Sequence, residues 1–473
     1  MPGRDEMKMD PEAGKVNEAW HRHRAMLTRR GFLSAAAGLA ALPVSSHGAP
    51  LARSRDADIV VVGAGAAGIA AARRIMGANR KVVVVEAGPQ IGGRCITDQG
   101  TLDVAFDRGA RWLHNPDGTI AQLVPSIGLE VAALPLGQRL RIGRRDARGR
   151  EIEKYLAAVG RANRAIEEAA RGKLDSSCAT VLAAKDVAKD LGDFLGTVEF
   201  SLGAAYAGKD LKELSAIDKA RAQDRNIALG CPQGLGTLIA RFGEQIPVTL
   251  SAPVSRINWS GREVAVETPT GRIAARAAIV TVSTNVLTSG DIRFSPELPR
   301  RTLDAAAKLG LGSYDHIMLQ LSGNPLGLAP NDLLIEQSDS TRTGLLFANI
   351  EGTSLCSLDV GGSFGRDLSA QGEQAMADFA REWISRLFGG AAGRAVKSVA
   401  ATRWNAAPYV KGAMSAATPG GQMSRRILTE PLGNLFLAGE ATHETLWGTV
   451  EGAWESGLAA AEAALRRIGA LAD

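Results

Sequence analysis

The stretch Asp58–Arg74, DIVVVGAGAAGIAAARR, decides the fold. Its opening run is continuously apolar, the mark of a parallel strand buried on both faces. Gly63, Gly65 and Gly68 follow in G-x-G-x-x-G spacing. The first glycine permits a tight turn, the second lets backbone approach a pyrophosphate, and the third lets the next helix pack closely on the strand. That helix is predicted from Ala66, with Ala67 and Gly68 in its first turn. Its free N–H groups and positive dipole end would face the phosphate. A second apolar strand, KVVVVEAG, ends in Glu86, 18 residues beyond Gly68. A carboxylate there can accept hydrogen bonds from ribose hydroxyls. Strand, turn, helix, strand and acid in this order predict a nucleotide site in a Rossmann-like α/β domain. A glycine turn with no ligand is the plain alternative, and the unit alone does not separate NAD from FAD.

The flanking sequence bears on that choice. Gly92, Gly93 and Arg94 follow the acid after five residues, in GPQIGGRCITDQG. A second glycine pair with an arginine suits a cofactor that runs on through its pyrophosphate to a buried ring. FDRGARWLH, Phe106 to His114, adds another glycine, arginines and a large aromatic. At the far end, LFLAGE reads as a short strand ending in Gly439 and Glu440. Apolar residues then recur at Val450, Ala453, Trp454, Gly457, Leu458, Ala461, Leu465 and Ile468, which is helical spacing from about Thr449.

Taken together, these segments resemble the flavin amine oxidase family: monoamine, polyamine and L-amino-acid oxidases. The resemblance covers nearly the whole chain after about residue 55. It implies FAD gripped by both ends of the chain and therefore held stably. Glu86 and Ala87 would lie at the ribose, Gly93 and Arg94 at the pyrophosphate, and Gly109, Ala110, Arg111 and Trp112 along the flavin. Gly439 and Glu440 would contact the ribityl–phosphate part. Thr449 and Val450 would start a helix facing the flavin pyrimidine edge, where a positive dipole end stabilises negative charge on reduced flavin. A backbone contact to adenine is implied near Val254, and Trp404 matches a tryptophan close to the flavin.

The chain also departs from the family pattern. In LGLGSYDHIMLQL, His316 stands where the family lysine holds a water near flavin N5. Histidine titrates near neutral pH and is expected as a base or water anchor; a structural histidine on a strand is the alternative. Losing the lysine makes a periplasmic electron carrier, such as a cytochrome, an acceptor to set beside oxygen. Ala413 falls where animal monoamine oxidases carry the flavin-linking cysteine, so FAD is expected to be non-covalent. Met414 and Thr449 fall on the two aromatic-cage positions, and Trp447 is a candidate wall, with core packing as its alternative. Ser283 replaces the usual proline after AAIVTV.

The 473 residues predict two interleaved domains. The FAD-binding domain is expected at 53–114, 226–289 and 401–473. An α+β substrate domain is expected at 115–225 and 290–400, with 115–225 read as helical. The formal charge of +5 is small, and acids and bases are interspersed, which excludes a nucleic-acid footprint. Cys95, Cys178, Cys231 and Cys356 are too far apart for a zinc ribbon or redox dithiol, and no metal site is expected.

TRRGFLSAAAGLAALPVSSHGAP, Thr28 to Pro50, places Arg29–Arg30 before a short apolar run. It resembles a twin-arginine export signal, so residues 1–52 are expected to be a leader, with Met26 a candidate start, and the protein periplasmic. The run is too short to span a bilayer. These readings predict FAD-dependent oxidation of a small-molecule amine to an imine, which water hydrolyses to an aldehyde or ketone. A carbon–carbon desaturase of the same fold and a redox-inert FAD-binding protein are the alternatives. A homodimer is left open.

Overall fold

The structure, a computed structural model, describes residues 55–471. The expected leader and its arginine pair lie outside them. The chain is of the α/β class, and two sheets organise it.

The first sheet is wholly parallel, in the order Leu435–Leu437, Ala277–Val280, Ile59–Val62, Val82–Val85, Val248–Thr249. Its strands come from three separated stretches of chain. Valine, isoleucine and alanine fill its central strands because helices cover one face, while on the other Val60, Val62, Ala278 and Val280 pack with Ile257, Val264 and Val266 of a four-stranded sheet, leaving no wet face. The helix Ala66–Gly77 packs on it beside the C-terminal helix Val450–Arg467. A methyl group on Gly457 would overlap the Ala67 carbonyl oxygen, so the two helices meet backbone to backbone. Strand order turns outward from Ile59–Val62 in both directions. The carboxyl ends of these strands therefore border the crevice where open α/β sheets bind ligands.

The second sheet has seven strands: Val396–Ala401, Tyr314–Leu321, Leu355–Gly361, Leu345–Phe347, Asp332–Glu336, Gly137–Ile142 and Arg145–Asp146. Alternation along each strand divides its faces. Ile317, Leu319, Leu358 and Val360 pack against the helices Gly362–Ala370 and Glu373–Phe388. His316, Ser357 and Asp359 occupy the opposite face, where His316 pairs in register with Asp359.

Residues 115–225 are mainly helical, led by Gly149–Ala170, but the expectation needs a correction. Gly137–Ile142 is a strand, paired in parallel with Asp332–Glu336. It was hidden because its single buried residue, Leu140, gives too little alternation to read. All four cysteines are free and buried. Among the described residues, no helix is long and apolar enough to cross a membrane.

Candidate active site

The glycine turn is built as its spacing requires. Gly63 adopts φ +104°, which disfavours any side chain, and a methyl on Gly68 would overlap the Gly63 carbonyl oxygen. Gly65 bridges to Gly92, and a Cβ on Gly93 would sit 3.3 Å from the Gly65 Cα. The two glycine pairs thus face each other beside the start of the Ala66–Gly77 helix. Ala66, Ala67 and Gly68 are buried in its first turn, whereas Gly63, Gly65 and Gly93 keep partial exposure.

Glu86 lies at the end of Val82–Val85. Its carboxylate accepts hydrogen bonds from the backbone N–H of Ala64 (2.7 Å) and Gly88 (2.7 Å), which orients it beside the turn. Ala87 is half-buried next to it. The N–H groups of Ala252 and Ser251 donate to the carbonyls of Glu86 and Gly88, bringing the Val254 loop alongside. Neither backbone group of Val254 has a hydrogen-bond partner among the described residues.

The far end of the chain closes on the same place. Glu440 is buried and accepts from Arg94 Nη1 (2.8 Å), Ser415 Oγ (2.6 Å) and the N–H of Gly448 (2.7 Å). Burial alone would push its carboxyl up. Arg94, the Ser415 hydroxyl and Arg425 outweigh burial and hold it below the usual carboxylate range. Thr449 caps the C-terminal helix: its hydroxyl accepts from the N–H of Gly452 and donates to the Leu446 carbonyl. Val450 is buried in the first turn.

The segment Gly109–Trp112 bridges the two sheets. The N–H of Ala110 donates to the Arg94 carbonyl. Trp404 lies against Gly109, whose Cβ would be 3.1 Å from the indole, and its Nε1 donates to the Arg108 carbonyl (3.0 Å). Trp112 meets Phe347 edge to face at 5.4 Å, and the Arg111 guanidinium stands over both rings. Met414 lies beside Gly448, where a Cβ would be 3.4 Å from the Met414 Cβ.

Three expected roles meet different surroundings. His316 is 5% exposed, with Nε2 2.9 Å from the Gly109 carbonyl oxygen and Nδ1 2.7 Å from Asp359 Oδ1. Both ring nitrogens are engaged by protein, which is not the arrangement of a free base or a water anchor. Trp447 is fully buried in the helical layer, edge to face with Tyr206 and flanked by the guanidinium groups of Arg225 and Arg425. Its indole is core packing, not a pocket wall. The Thr449 hydroxyl is committed to capping, which leaves no free hydrogen-bonding group at that cage position. Ser283, in contrast, gains a reason: it caps the helix Thr284–Ser289 through the N–H of Val286.

Reading the sequence missed Asp359, Ser357, Phe347 and Ser415. One signal was present. Asp359 is a lone acid in the apolar strand LCSLDVG, and an acid buried there needs a partner.

The donor set fits a dinucleotide such as FAD. Two opposed glycine pairs leave room that a Cβ would fill, a helix N-terminus and the Val254 backbone offer unpaired groups, and the Glu86 carboxylate stands beside the turn at the end of the second strand. The comparisons agree. The family model for flavin containing amine oxidoreductases matches residues 66–465. Polyamine oxidase 5 of Oryza sativa subsp. japonica is 25% identical over 442 residues, covering 87% of this chain and 88% of that one. Lysine-specific histone demethylase 1B of Mus musculus is 26% identical over 481 residues, covering 92% of this chain and 55% of that one. In fold, the chain is similar to cyclohexylamine oxidase from Brevibacterium oxydans (TM-score 0.74, 20% identity, 88% of this chain and 100% of that one). It is also similar to putrescine oxidase bound to putrescine (TM-score 0.73, 18% identity, 87% and 99%). On the extent of that family match, the chain belongs to the flavin-containing amine oxidoreductase family.

Proposed function

We propose that this family member oxidises a primary or secondary amine with an apolar substituent, in a pocket walled by Trp112, Trp404 and Met414, with Phe347 packed behind Trp112. The observation that carries this is the convergence of both chain ends, through Gly63–Gly68 and Glu440–Thr449, on one crevice beside the Trp112–Phe347 pair. When bound there, FAD supplies a hydride acceptor for the carbon next to nitrogen. The residues do the rest. Gly65, Gly93 and the Ala66 helix start hold the pyrophosphate, Glu86 the ribose, and the Val254 backbone the adenine. Arg94, fixed by Glu440, neutralises phosphate charge. The apolar walls favour the neutral amine, whose lone pair the reaction needs, and exclude water from it. Water outside the pocket hydrolyses the released imine.

The amine oxidase neighbours do not favour the desaturase alternative. Ala413, in place of a linking cysteine, supports non-covalent FAD. The division into an FAD-binding domain (53–114, 226–289, 401–473) and a substrate domain (115–225, 290–400) belongs to this proposal. So do export through Arg29–Arg30 to the periplasm and electron delivery to oxygen or a periplasmic carrier. Anaerobic mixing of the purified protein with cyclohexylamine, putrescine, spermidine and benzylamine tests it. Loss of visible flavin absorbance is expected with at least one apolar amine. A chromophore that dithionite reduces but no amine bleaches would overturn the reading.

A further inference from the structure

Behind Trp112, a cluster of polar groups sits on the inner face of the seven-stranded sheet. Asp359 is the centre of it. Its Oδ1 lies within reach of His316 Nδ1 (2.7 Å), Ser357 Oγ and Arg111 Nη2 (3.3 Å), and its Oδ2 accepts from the Tyr314 hydroxyl (2.9 Å). Burial would push this carboxyl up. Arg111, His316 and the hydrogen bonds from His316 and Ser357 outweigh it and hold the group well below the usual carboxylate range. Asp359 therefore stays an anion in a nearly dry place, and two chain segments are arranged around its charge.

Both segments lead to the same loop. His316 Nε2 faces the Gly109 carbonyl oxygen, an acceptor only, so that nitrogen carries a proton and donates. Arg111 Nη2 donates to Ser357 Oγ (3.0 Å) and to Asp359 Oδ1 (3.3 Å). The other end of the guanidinium is different. Arg111 Nη1 is buried and has no partner among the described residues. A buried donor left without an acceptor is costly, about 1–3 kcal/mol for an ordinary group and more for a charged one. A guanidinium pinned on one side and unmet on the other is the arrangement of a group that awaits a ligand acceptor.

We propose that Asp359 is a positioning residue. It locks one edge of Arg111 and, through His316, fixes the Gly109 carbonyl, so that Arg111 Nη1 is presented to an acceptor on the bound cofactor. This rests on the reading that Gly109–Trp112 lines the FAD site. Asp359 itself does not touch the cofactor. The acid acts through Arg111, so their effects belong to one unit and should not add.

The test uses the full-length protein with FAD, and Asp359→Asn, Asp359→Glu, Arg111→Met and the double variant Asp359→Asn/Arg111→Met. Two readouts separate positioning from general stability: the Kd for FAD of the apoprotein, from quenching of FAD fluorescence, and the shape of the visible absorption band of bound FAD. Asp359→Asn is expected to raise the Kd at least tenfold and to change the band. Arg111→Met should do the same, the double variant should be no worse than either, and Asp359→Glu should recover part of the loss. Circular dichroism reports whether each variant folds. If Asp359→Asn does not fold, Arg111→Met decides alone: wild-type Kd and band overturn the proposal. A folded Asp359→Asn with wild-type Kd and band also overturns it, as do additive effects in the double variant. Wild-type protein that fails to bind FAD at all would instead remove the functional reading beneath it.

Discussion

Gly68 has no room for a methyl group, because its Cβ would overlap the Gly63 carbonyl oxygen at the base of the turn. Gly68→Ala is therefore expected to push the Ala66–Gly77 helix off the strand, with a loss of about 1–3 kcal/mol. Denaturant unfolding and dialysis check this: the variant should unfold at lower urea and lose its yellow colour. Thr449 acts on a smaller scale. Its hydroxyl satisfies one N–H of the C-terminal helix, so Thr449→Ala should cost about 1 kcal/mol. Loss of the cap also loosens the Val450 turn, so FAD should dissociate faster from the variant. Trp447 divides the two readings of its role directly. Because it is wholly buried between Arg225 and Arg425, Trp447→Phe is expected to lower the melting temperature and leave the amine KM within about twofold. A large KM change at unchanged melting temperature would make it a pocket wall after all.

At the level of elements, charge fixes what hydrophobic packing leaves free to slide. The helices Ala216–Arg221 and Ser424–Thr429 are joined by Asp218 and Arg425, each 1% exposed, through two hydrogen bonds of 2.9 and 2.7 Å. Breaking such a pair from one side strands the other charge, so Arg425→Met should cost about 3–5 kcal/mol, and Arg425→Met/Asp218→Leu much less. Thermal denaturation of the three proteins checks the order. The carboxylates give the pH dependence. Glu440 and Asp359 are both held below their unfolded values, so each adds stability that is complete above about pH 4 and is lost as pH falls through the lower folded value. Acid titration should therefore release FAD and unfold the protein together below about pH 4, with Glu440→Gln flattening that dependence. The seven-stranded sheet was the element least legible beforehand. Its strands alternate only briefly, and Gly137–Ile142 finds its partner at Asp332–Glu336, far along the chain.

Across the whole molecule, the parallel sheet draws its strands from early, middle and late stretches of the described chain, so on the proposed reading FAD is expected to bind only where the fold is complete. At FAD a hundredfold above Kd, mass action adds about 2.7 kcal/mol, which for a protein of this size raises the melting temperature by about 3 °C. A thermal scan of apoprotein with and without FAD measures it. By itself, the sequence determined the class of fold, the glycine turn, Glu86 and the gripping C-terminal strand and helix. Each of these is local: a strand run, a turn spacing or a helical period lies within a few residues, and backbone sterics make its meaning nearly independent of context. Tertiary structure alone decided that His316 has both nitrogens occupied, that Trp447 turns into the core, and that Asp359 gathers Arg111 from 248 residues away. No local rule encodes such contacts, because burial and charge pairing are properties of neighbours in space, and the chain fixes those neighbours only once it is folded.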